Sequence, residues 1–435
     1  MRKKEQMIYM GIGIMVLAIF ITFFIHTLTS RKQYKQWSME SRLPNEIMWE
    51  ESETNPVIRV VLKTNGFREI PHQKLEFTAK GGLVITAGEE KVECEAGEVF
   101  RILPDHELFR HGNIQITVKE AKDKITVRNL KRGYGTPSYR GGFEIFTTAE
   151  GMVAVNELLL EEYLYAVVPS EMPASYEPEA LCCQAICARS YAYCQMKGYG
   201  YPEYKAHVDD STSYQVYGNS KEQKSTIQAV NDTAGQTLTY QGRVIKTYYY
   251  STSCGNSTSI EAWGTKLTDK NQYLKGVKIC GDDGKDYEKK LPWYRWKAVI
   301  SKQKLSDLIE LNTGVEIGTL KDITITQKGV GGVALQLVAK GSTGSVTVDT
   351  EKKIRSALGG SGYQIEKQDG SVIKSSKLLP SAFFSIEKKD GNYVIKGGGY
   401  GHGIGMSQNG ANEMAKVGKT YEDILQFFYP GTEVK

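Results

Sequence analysis

An excess of either sign of charge is nearly absent from this 435-residue sequence: 55 Lys and Arg stand against 50 Asp and Glu, a net +5. No basic stripe stands out, so nucleic acid is not an expected partner. No C-x-x-C pair occurs among the seven cysteines. Cys183 and Cys187 are one helical turn apart, but no histidine lies near them, and zinc spacing is not met. Cysteine there reads better as a small buried hydrophobe among alanines. Cys254 and Cys280 are candidates for a disulfide that spacing alone leaves open. The G-x-S-x-G elbow of serine hydrolases is missing, as is the G-x-G-x-x-G of dinucleotide sites. There is no internal repeat and no low-complexity tract. Only one long apolar run is present, from Ile8 to Ile25.

What is present suits a globular chain of about two or three domains, with 40% hydrophobic and 24% charged residues. The apolar run is near the lower limit of about 17–20 residues for a spanning helix. Phe23-Phe24-Ile25-His26 follows its centre and makes a poor cleavage site, which favours an uncleaved anchor over 1–30. Basic residues flank both sides (Arg2, Lys3 and Lys4; Arg31, Lys32 and Lys35). The long remainder translocates largely regardless of such charge, and an extracytoplasmic body is expected. The 26 tyrosines fit β-sheet and also sugar grooves, where a ring offers an apolar face and a polar edge.

Residues 31–55 read as a polar stalk. Short alternating runs at Val57–Lys63, Leu83–Thr86, Ile114–Val118 and Ile125–Arg128 predict a β-rich domain over 56–130. Strands at Gly142–Phe146 and Met152–Val155 open a second region, 131–435. Pro178 to Met196 predicts a small-residue helix, with Pro178 in its first turn and Gly198 past its end. A further helix is predicted near Lys221–Thr233, then strands at Gln236–Tyr240 and Val244–Tyr250. A helix near Lys302–Leu311, strands at Ile323–Gln327 and Ala334–Ala339, and a short helix at Ile354–Leu358 follow. Strands at Phe383–Glu387 and Tyr393–Lys396 precede a Gly-rich loop and a last helix at Ala411–Val417. The fold class is α+β: β-rich mixed sheets with a few packed helices, after an N-terminal transmembrane helix.

Five segments could carry chemistry. In Val167–Pro173, Glu171 sits between two prolines in an apolar turn; such a setting raises a carboxyl pKa toward that of a general acid, while the N-terminus of the next helix favours the anion. Arg189, amid alanine and cysteine, needs a partner if buried; a structural ion pair is the plain reading, and orienting Glu171 or a sugar is the functional one. Asp209 and Asp210 could supply a second carboxylate or a metal ligand, though such clusters more often make Asx turns. Tyr248–Gly255 joins a strand of aromatics to a hydroxyl-rich turn that includes Tyr250, Ser251 and Ser253. The loop Gly397–Gln408 lets a backbone approach something closely, and its His402 serves either chemistry or the loop's own backbone groups.

These segments, in this order, resemble the SpoIID/LytB family, the stage II sporulation protein D group. The carriers are YRGGFEI at 139–145, YLYAVVPSEMP at 163–173, EALCCQAICARSYAY at 179–193, DDSTSYQVY, YYYSTSCG, IRSALGG at 354–360, GHGIGMSQNGANEMA and YEDILQFFYPGTEV. The resemblance spans about residues 131–435. It implies a peptidoglycan lytic transglycosylase of forespore engulfment that prefers glycan stripped of stem peptides by a partner amidase, within a sporulation membrane complex. Glu171 is then the catalytic acid and Arg189 an important site residue, with Gln184, Asp210, Tyr250, Ser251, Ser253, His402 and Gln408 as substrate contacts. Some relatives bind zinc through a cysteine pair; here Asp209 and Tyr214 occupy those places, and no metal or other cofactor is expected. Tyr250 also stands where some relatives have histidine. A non-catalytic wall-binding protein that recruits or stimulates an amidase is the alternative the LytB side implies.

Overall fold

A computed structural model describes residues 52–435. The expected anchor at 1–30 and most of the 31–55 stalk lie outside those residues. Among the described residues no helix is long and apolar enough to cross a membrane. The last residues of the expected stalk fold onto the body, where the Asn55 side-chain oxygen accepts the Glu161 N–H at 2.9 Å.

Two β-systems form the first core. A seven-stranded sheet runs in the order Val208–Asp209, Val57–Leu62, Gly151–Leu159, Gly142–Thr148, Ile114–Val118, Leu83–Ala87, Glu90–Cys94. Its pairings are antiparallel except Val57–Leu62 against Val208–Asp209. A four-stranded sheet holds Phe100–Ile102, Leu75–Thr78, Ile125–Val127 and Ser138–Tyr139. Alternate residues such as Leu83, Ile85 and Ala87 point into the core, as a strand's two-residue period requires. Phe77 of the smaller sheet and Phe143 of the larger meet with ring centroids 5.2 Å apart. The residues expected as a separate domain at 56–130 thus share one sheet with 142–159. A cut at 130 would leave the long Gly142–Thr148 and Gly151–Leu159 strands with open edges.

Seven helices occur among the described residues: α1 Leu160–Glu171, α2 Pro178–Gln195, α3 Lys224–Asp232, α4 Lys302–Thr313, α5 Glu351–Leu358, α6 Gln408–Lys416 and α7 Tyr421–Phe428. A second core gathers around a five-stranded sheet in the order Val372–Lys374, Gln364–Lys367, Trp296–Ser301, Asn392–Gly397, Phe384–Lys389, with a three-stranded sheet at Asp322–Lys328, Ala334–Lys340 and Ser345–Asp349. The helix expected last, α6, is followed by α7. Its signal was the T-x-x-D capping box, in which Thr420 and Asp423 exchange side-chain and backbone bonds.

Helix α2 lies between the two cores. Ala185, Ala188 and Ala192 pack into the first, while Cys183, Ile186 and Cys187 pack into the second. A helix buried on all sides must be apolar all round, and small side chains let both cores close on it. All seven cysteines are free thiols, Cys254 and Cys280 included. Burial pushes the Cys187 thiol up to about 12, which favours the neutral thiol of a packed side chain over the thiolate.

Candidate active site

Glu171 is the last residue of α1, not part of a turn. The helix runs through Pro169, which has no N–H for the carbonyl one turn back. That loss is outweighed because Tyr163, Leu164, Val167 and Val168 are fully buried and fix the helix in the first core. Ser170 Oγ donates to the Ala166 carbonyl at 2.6 Å and tightens this last turn. Its position also reverses the expected dipole effect: a carboxylate at a helix C-terminus meets partial negative charge. The Glu171 residue is partly open to solvent, but protein surrounds its carboxyl. Burial raises its pKa to about 7, and one bond opposes the rise, from the Val216 N–H to Oε1 at 2.6 Å. No neighbouring carboxylate contributes to that shift.

The surroundings come from distant parts of the chain. Gln408, the first residue of α6, donates through Nε2 to the Glu171 carbonyl at 3.0 Å and to Gln184 Oε1 at 3.1 Å. Gln184, on α2, is fully buried, and its Nε2 has no protein acceptor. Past Glu171 the chain is tied to α6 by Tyr176 Oη donating to Asn409 at 2.6 Å and by the Glu177 N–H donating to Asn412 at 2.9 Å. Gln215 Nε2 donates to Tyr249 Oη at 3.0 Å, and its Oε1 accepts from Tyr163 Oη at 3.4 Å. Burial raises the hydroxyls of Tyr163, Tyr191 and Tyr249, and the nearby Glu171 charge adds to it. A file of rings, Tyr191, Tyr248, Trp263, His402 and Tyr250, continues from there with centroids 4.8–6.2 Å apart.

The Gly-rich loop packs closely against this wall. Residues Met406–Ser407 pair in parallel with Tyr249–Tyr250. Gly405, at φ +75°, lies so close to the Tyr248 carbonyl that any Cβ would collide with it. His402 Nδ1 accepts the Ile404 N–H at 3.1 Å, and Nε2 donates to the Tyr249 carbonyl at 2.9 Å. Burial lowers its pKa to about 3. Both ring nitrogens are engaged by backbone groups, and burial disfavours the charged ring. The Tyr250 hydroxyl is buried without a partner. Ser251 Oγ lies 3.1 Å from Thr252 Oγ1, and its carbonyl accepts from Asn409.

Ser253 leads to a residue that sequence reasoning missed. Its N–H donates to Glu288 Oε1 at 2.9 Å and its hydroxyl to Oε2, while Ser407 Oγ donates to Oε1 at 2.8 Å. Glu288 is fully buried among these hydroxyls with no cation, and burial raises its pKa to about 7. Ser407 is also the N-cap of α6. Glu288 thus ties the 251–253 turn to the helix that carries Gln408. Nothing in its own neighbourhood, DGKDYEKKLP, separates it from a surface glutamate.

Two expected site residues lie apart. Arg189 is fully buried and forms a two-point ion pair with Glu161, both bonds 2.7 Å; it also donates to the Val230 and Gln236 carbonyls at 3.2 and 3.0 Å. With a further bond to Thr233 Oγ1 at 3.4 Å every donor on its planar fork is taken, and none goes to Glu171. Asp210 is buried against Arg132 at 2.5 Å and accepts the Lys63 N–H at 3.0 Å; burial raises its pKa to about 7. It joins the seven-stranded sheet to residues 131–135 and makes no bond to Glu171 or Gln408. Asp209 Oδ1 accepts from Ser211 N–H and hydroxyl at 2.8 and 2.6 Å, an Asx turn. Among the described residues no group of three or more His, Cys, Asp or Glu side chains is arranged to hold a metal.

Known proteins resemble this chain over most of its length. Residues 148–240 match the family model of the stage II sporulation protein, and residues 246–405 match a domain of unknown function, DUF8618. The stage II sporulation protein D of Bacillus subtilis is 32% identical over 346 residues, 75% of this chain and 89% of that one. The chain belongs to the stage II sporulation protein D family. An uncharacterized protein of Brachyspira hyodysenteriae is 31% identical over 323 residues, 73% of this chain and 76% of its own. The amidase enhancer of Bacillus subtilis is 30% identical over 302 residues, which cover 62% of this chain and 40% of that protein. The first match contains Glu171, Gln184, Arg189 and Asp210; the second contains Tyr250, Ser253, Glu288 and His402. In this family member the site is assembled across both segments.

Proposed function

We propose that this protein is a lytic transglycosylase that cuts the glycan strands of peptidoglycan during sporulation. Its catalytic body would face the cell wall, and the apolar run at Ile8–Ile25 would anchor it. The family and the printed names of its relatives support a sporulation and cell-wall setting. The observation that carries the chemistry is Glu171: one carboxyl, raised to about 7 by burial, beside a half-open wall of tyrosine and tryptophan. At neutral pH such a group holds its proton for a substantial part of the time and can give it up.

The steps follow from one carboxyl. Glu171 gives its proton to the bridging oxygen between MurNAc and GlcNAc as the bond from that oxygen to the anomeric carbon breaks. Positive charge develops at that carbon. The C6 hydroxyl of the same MurNAc attacks it, and its proton passes to the Glu171 carboxylate, which restores the acid. The product is a 1,6-anhydro end, and no water is consumed. Ordinary glycosidases need a second carboxylate as nucleophile or base; here the sugar's own hydroxyl takes that place. Gln408 and the Val216 N–H hold the Glu171 backbone and carboxylate in position, and Gln184 Nε2 is a buried donor without a protein acceptor beside them.

Peptide-free glycan strands incubated with the protein and with its Glu171→Gln variant provide the test, with products read by mass spectrometry. Shorter strands with 1,6-anhydro ends from the unaltered protein alone are expected. Intact strands from both, with strand binding retained, would overturn the reading. The second reading is then a wall-binding protein that recruits or stimulates an amidase, favoured by the similarity to an amidase enhancer.

A further inference from the structure

The five-stranded sheet of the second core ends on Val372–Lys374, and among the described residues no strand pairs with the far side of it. The bonds on its near side show which backbone groups are left open. The Lys367 N–H donates to the Ser371 carbonyl at 2.8 Å, and the Ser375 N–H donates to the Tyr363 carbonyl at 3.0 Å. Between these, Ile373 stands opposite Ile365. In an antiparallel ladder, hydrogen-bonded pairs alternate with pairs whose N–H and C=O groups point away from each other. Ser371, Ile373 and Ser375 therefore direct their backbone groups into the sheet, and Val372 and Lys374 direct theirs outward.

The side chains do little to guard this edge. Open edges ordinarily carry charge, proline or a bulge, and the edge strand Glu90–Cys94 of the first core has Glu90, Lys91 and Glu93. In Val372–Lys374 two of three residues are apolar, with Val372 52% and Ile373 37% exposed. Ile373 is the uncovered end of a row, Ile365, Ala298 and Ile395, whose other members are buried. On the opposite face Val372 begins the row Glu366, Lys297 and Lys396. Lys297 and Lys396 stand directly opposite each other, a destabilising placement of like charge. Lys396 is held by Glu387 at 2.7 Å. Among the described residues Lys297 and Lys374 form no ion pair. Outward backbone groups between an unfinished apolar row and unpaired cations suit an extended segment that carries carboxylates.

We propose that Val372–Lys374 is a docking edge for an extended acidic segment of a partner protein, which adds antiparallel to the sheet as one more strand. The register sets the pattern of that segment. The residues opposite Val372 and Lys374 exchange both backbone bonds with them. The residue opposite Ile373 is apolar and continues the buried row of Ile365, Ala298 and Ile395. The residue opposite Lys374 is a carboxylate, since directly opposed side chains of opposite charge attract. A second copy of this chain fits less well, because edge-to-edge pairing would set two lysine-bearing faces side by side. The proposal does not depend on the Glu171 chemistry, and either can fail alone.

Fluorescence anisotropy of labelled peptides on the full chain tests this. The probe is the capped peptide Thr-Glu-Ile-Val-Thr, whose Glu, Ile and Val oppose Lys374, Ile373 and Val372 when it runs antiparallel. One control carries Lys in place of Glu. The other is N-methylated at Glu and Val, which keeps the side chains and removes the two donors that the edge needs. Two variants are measured with a thermal melt as the folding check. Val372→Pro removes an outward N–H and leaves the inward pairs in place; Lys374→Glu reverses the charge. The probe is expected to bind the unaltered chain at least about tenfold more tightly than either control. Val372→Pro should lose that binding, and Lys374→Glu should prefer the lysine peptide. Equal Kd for the probe and its N-methylated form, or for Val372→Pro and its parent, overturns the docking edge, as does no binding of the probe at about 1 mM. A dimer of the unaltered chain in the analytical ultracentrifuge that Val372→Pro converts to monomer would give the edge to a second copy and overturn the acidic partner.

Discussion

Replacing Arg189 with methionine separates a structural role from a catalytic one. The side chain is fully buried, Glu161 is 1% exposed, and their two bonds are both 2.7 Å. Glu161 also accepts the Gly235 N–H at 3.1 Å, so the pair fastens α1, α2 and the chain after α3 at one point. Removing the guanidinium strands the Glu161 charge in a dry core, which costs about 3–5 kcal/mol. It also frees the buried Val230 and Gln236 carbonyls, each worth about 1 kcal/mol. A domain with ordinary total stability of about 5–15 kcal/mol would lose much of its margin. Urea unfolding followed by tryptophan fluorescence reads the loss directly. The double variant Arg189→Met, Glu161→Leu removes the stranded charge and should recover more than half of it, a coupling visible in a double-mutant cycle. If Arg189→Met unfolded at the same urea concentration as the parent yet abolished cleavage, the structural assignment would fail and a direct role in the cleft would replace it.

Three further outcomes follow. The rate of strand cleavage should fall as pH rises through about 7, because the acid must be protonated and burial sets Glu171 there; a rate that stays flat up to pH 9 contradicts this. Glu288 has its native pKa raised from 4.5 to about 7, so the native state binds more protons than the unfolded one between those values and stability falls as pH rises through that window. Glu288→Gln should remove a loss on the order of 3 kcal/mol between pH 5 and 8, read as a flatter dependence of Tm on pH; an unchanged slope contradicts the assignment. Gly405→Ala forces a Cβ against the Tyr248 carbonyl at φ +75° and should cost at least about 2 kcal/mol by combining backbone strain with a clash, whereas Gly418→Ala, with φ +87° and open space, should cost about 1 kcal/mol; equal melts for the two would refute the close-approach argument.

Most helices and strands were legible because their signals are local. Pro178 and the run of small residues predicted α2 within a residue of its ends. Alternation located Leu83–Ala87 and Ile114–Val118. The reading failed where a strong local breaker was overruled from a distance: Pro169 suggested a turn, but burial of one face of α1 carried the helix on to Glu171. Helix α7 was missed although its capping box is in the sequence. Site residues divided in the same way. Glu171 was framed by its neighbours, and Arg189 announced itself as a charge in an apolar helix. Glu288 and Trp263 have ordinary sequence surroundings and acquire their places only through partners far along the chain.

By itself, the sequence determined the alternation of strands, the small-residue helix, the lack of zinc and nucleotide spacing, and the family-bearing segments around Glu171. These are properties of residues within a few turns of one another. Tertiary structure alone decided which partners Arg189 and Asp210 take, that His402 bonds the backbone of its own loop and of the neighbouring strand, and that Glu288 is buried among hydroxyls with its pKa raised. Burial and partnership are set by the path of the whole chain. A carboxyl's proton affinity depends on the atoms folded around it, not on those beside it in sequence.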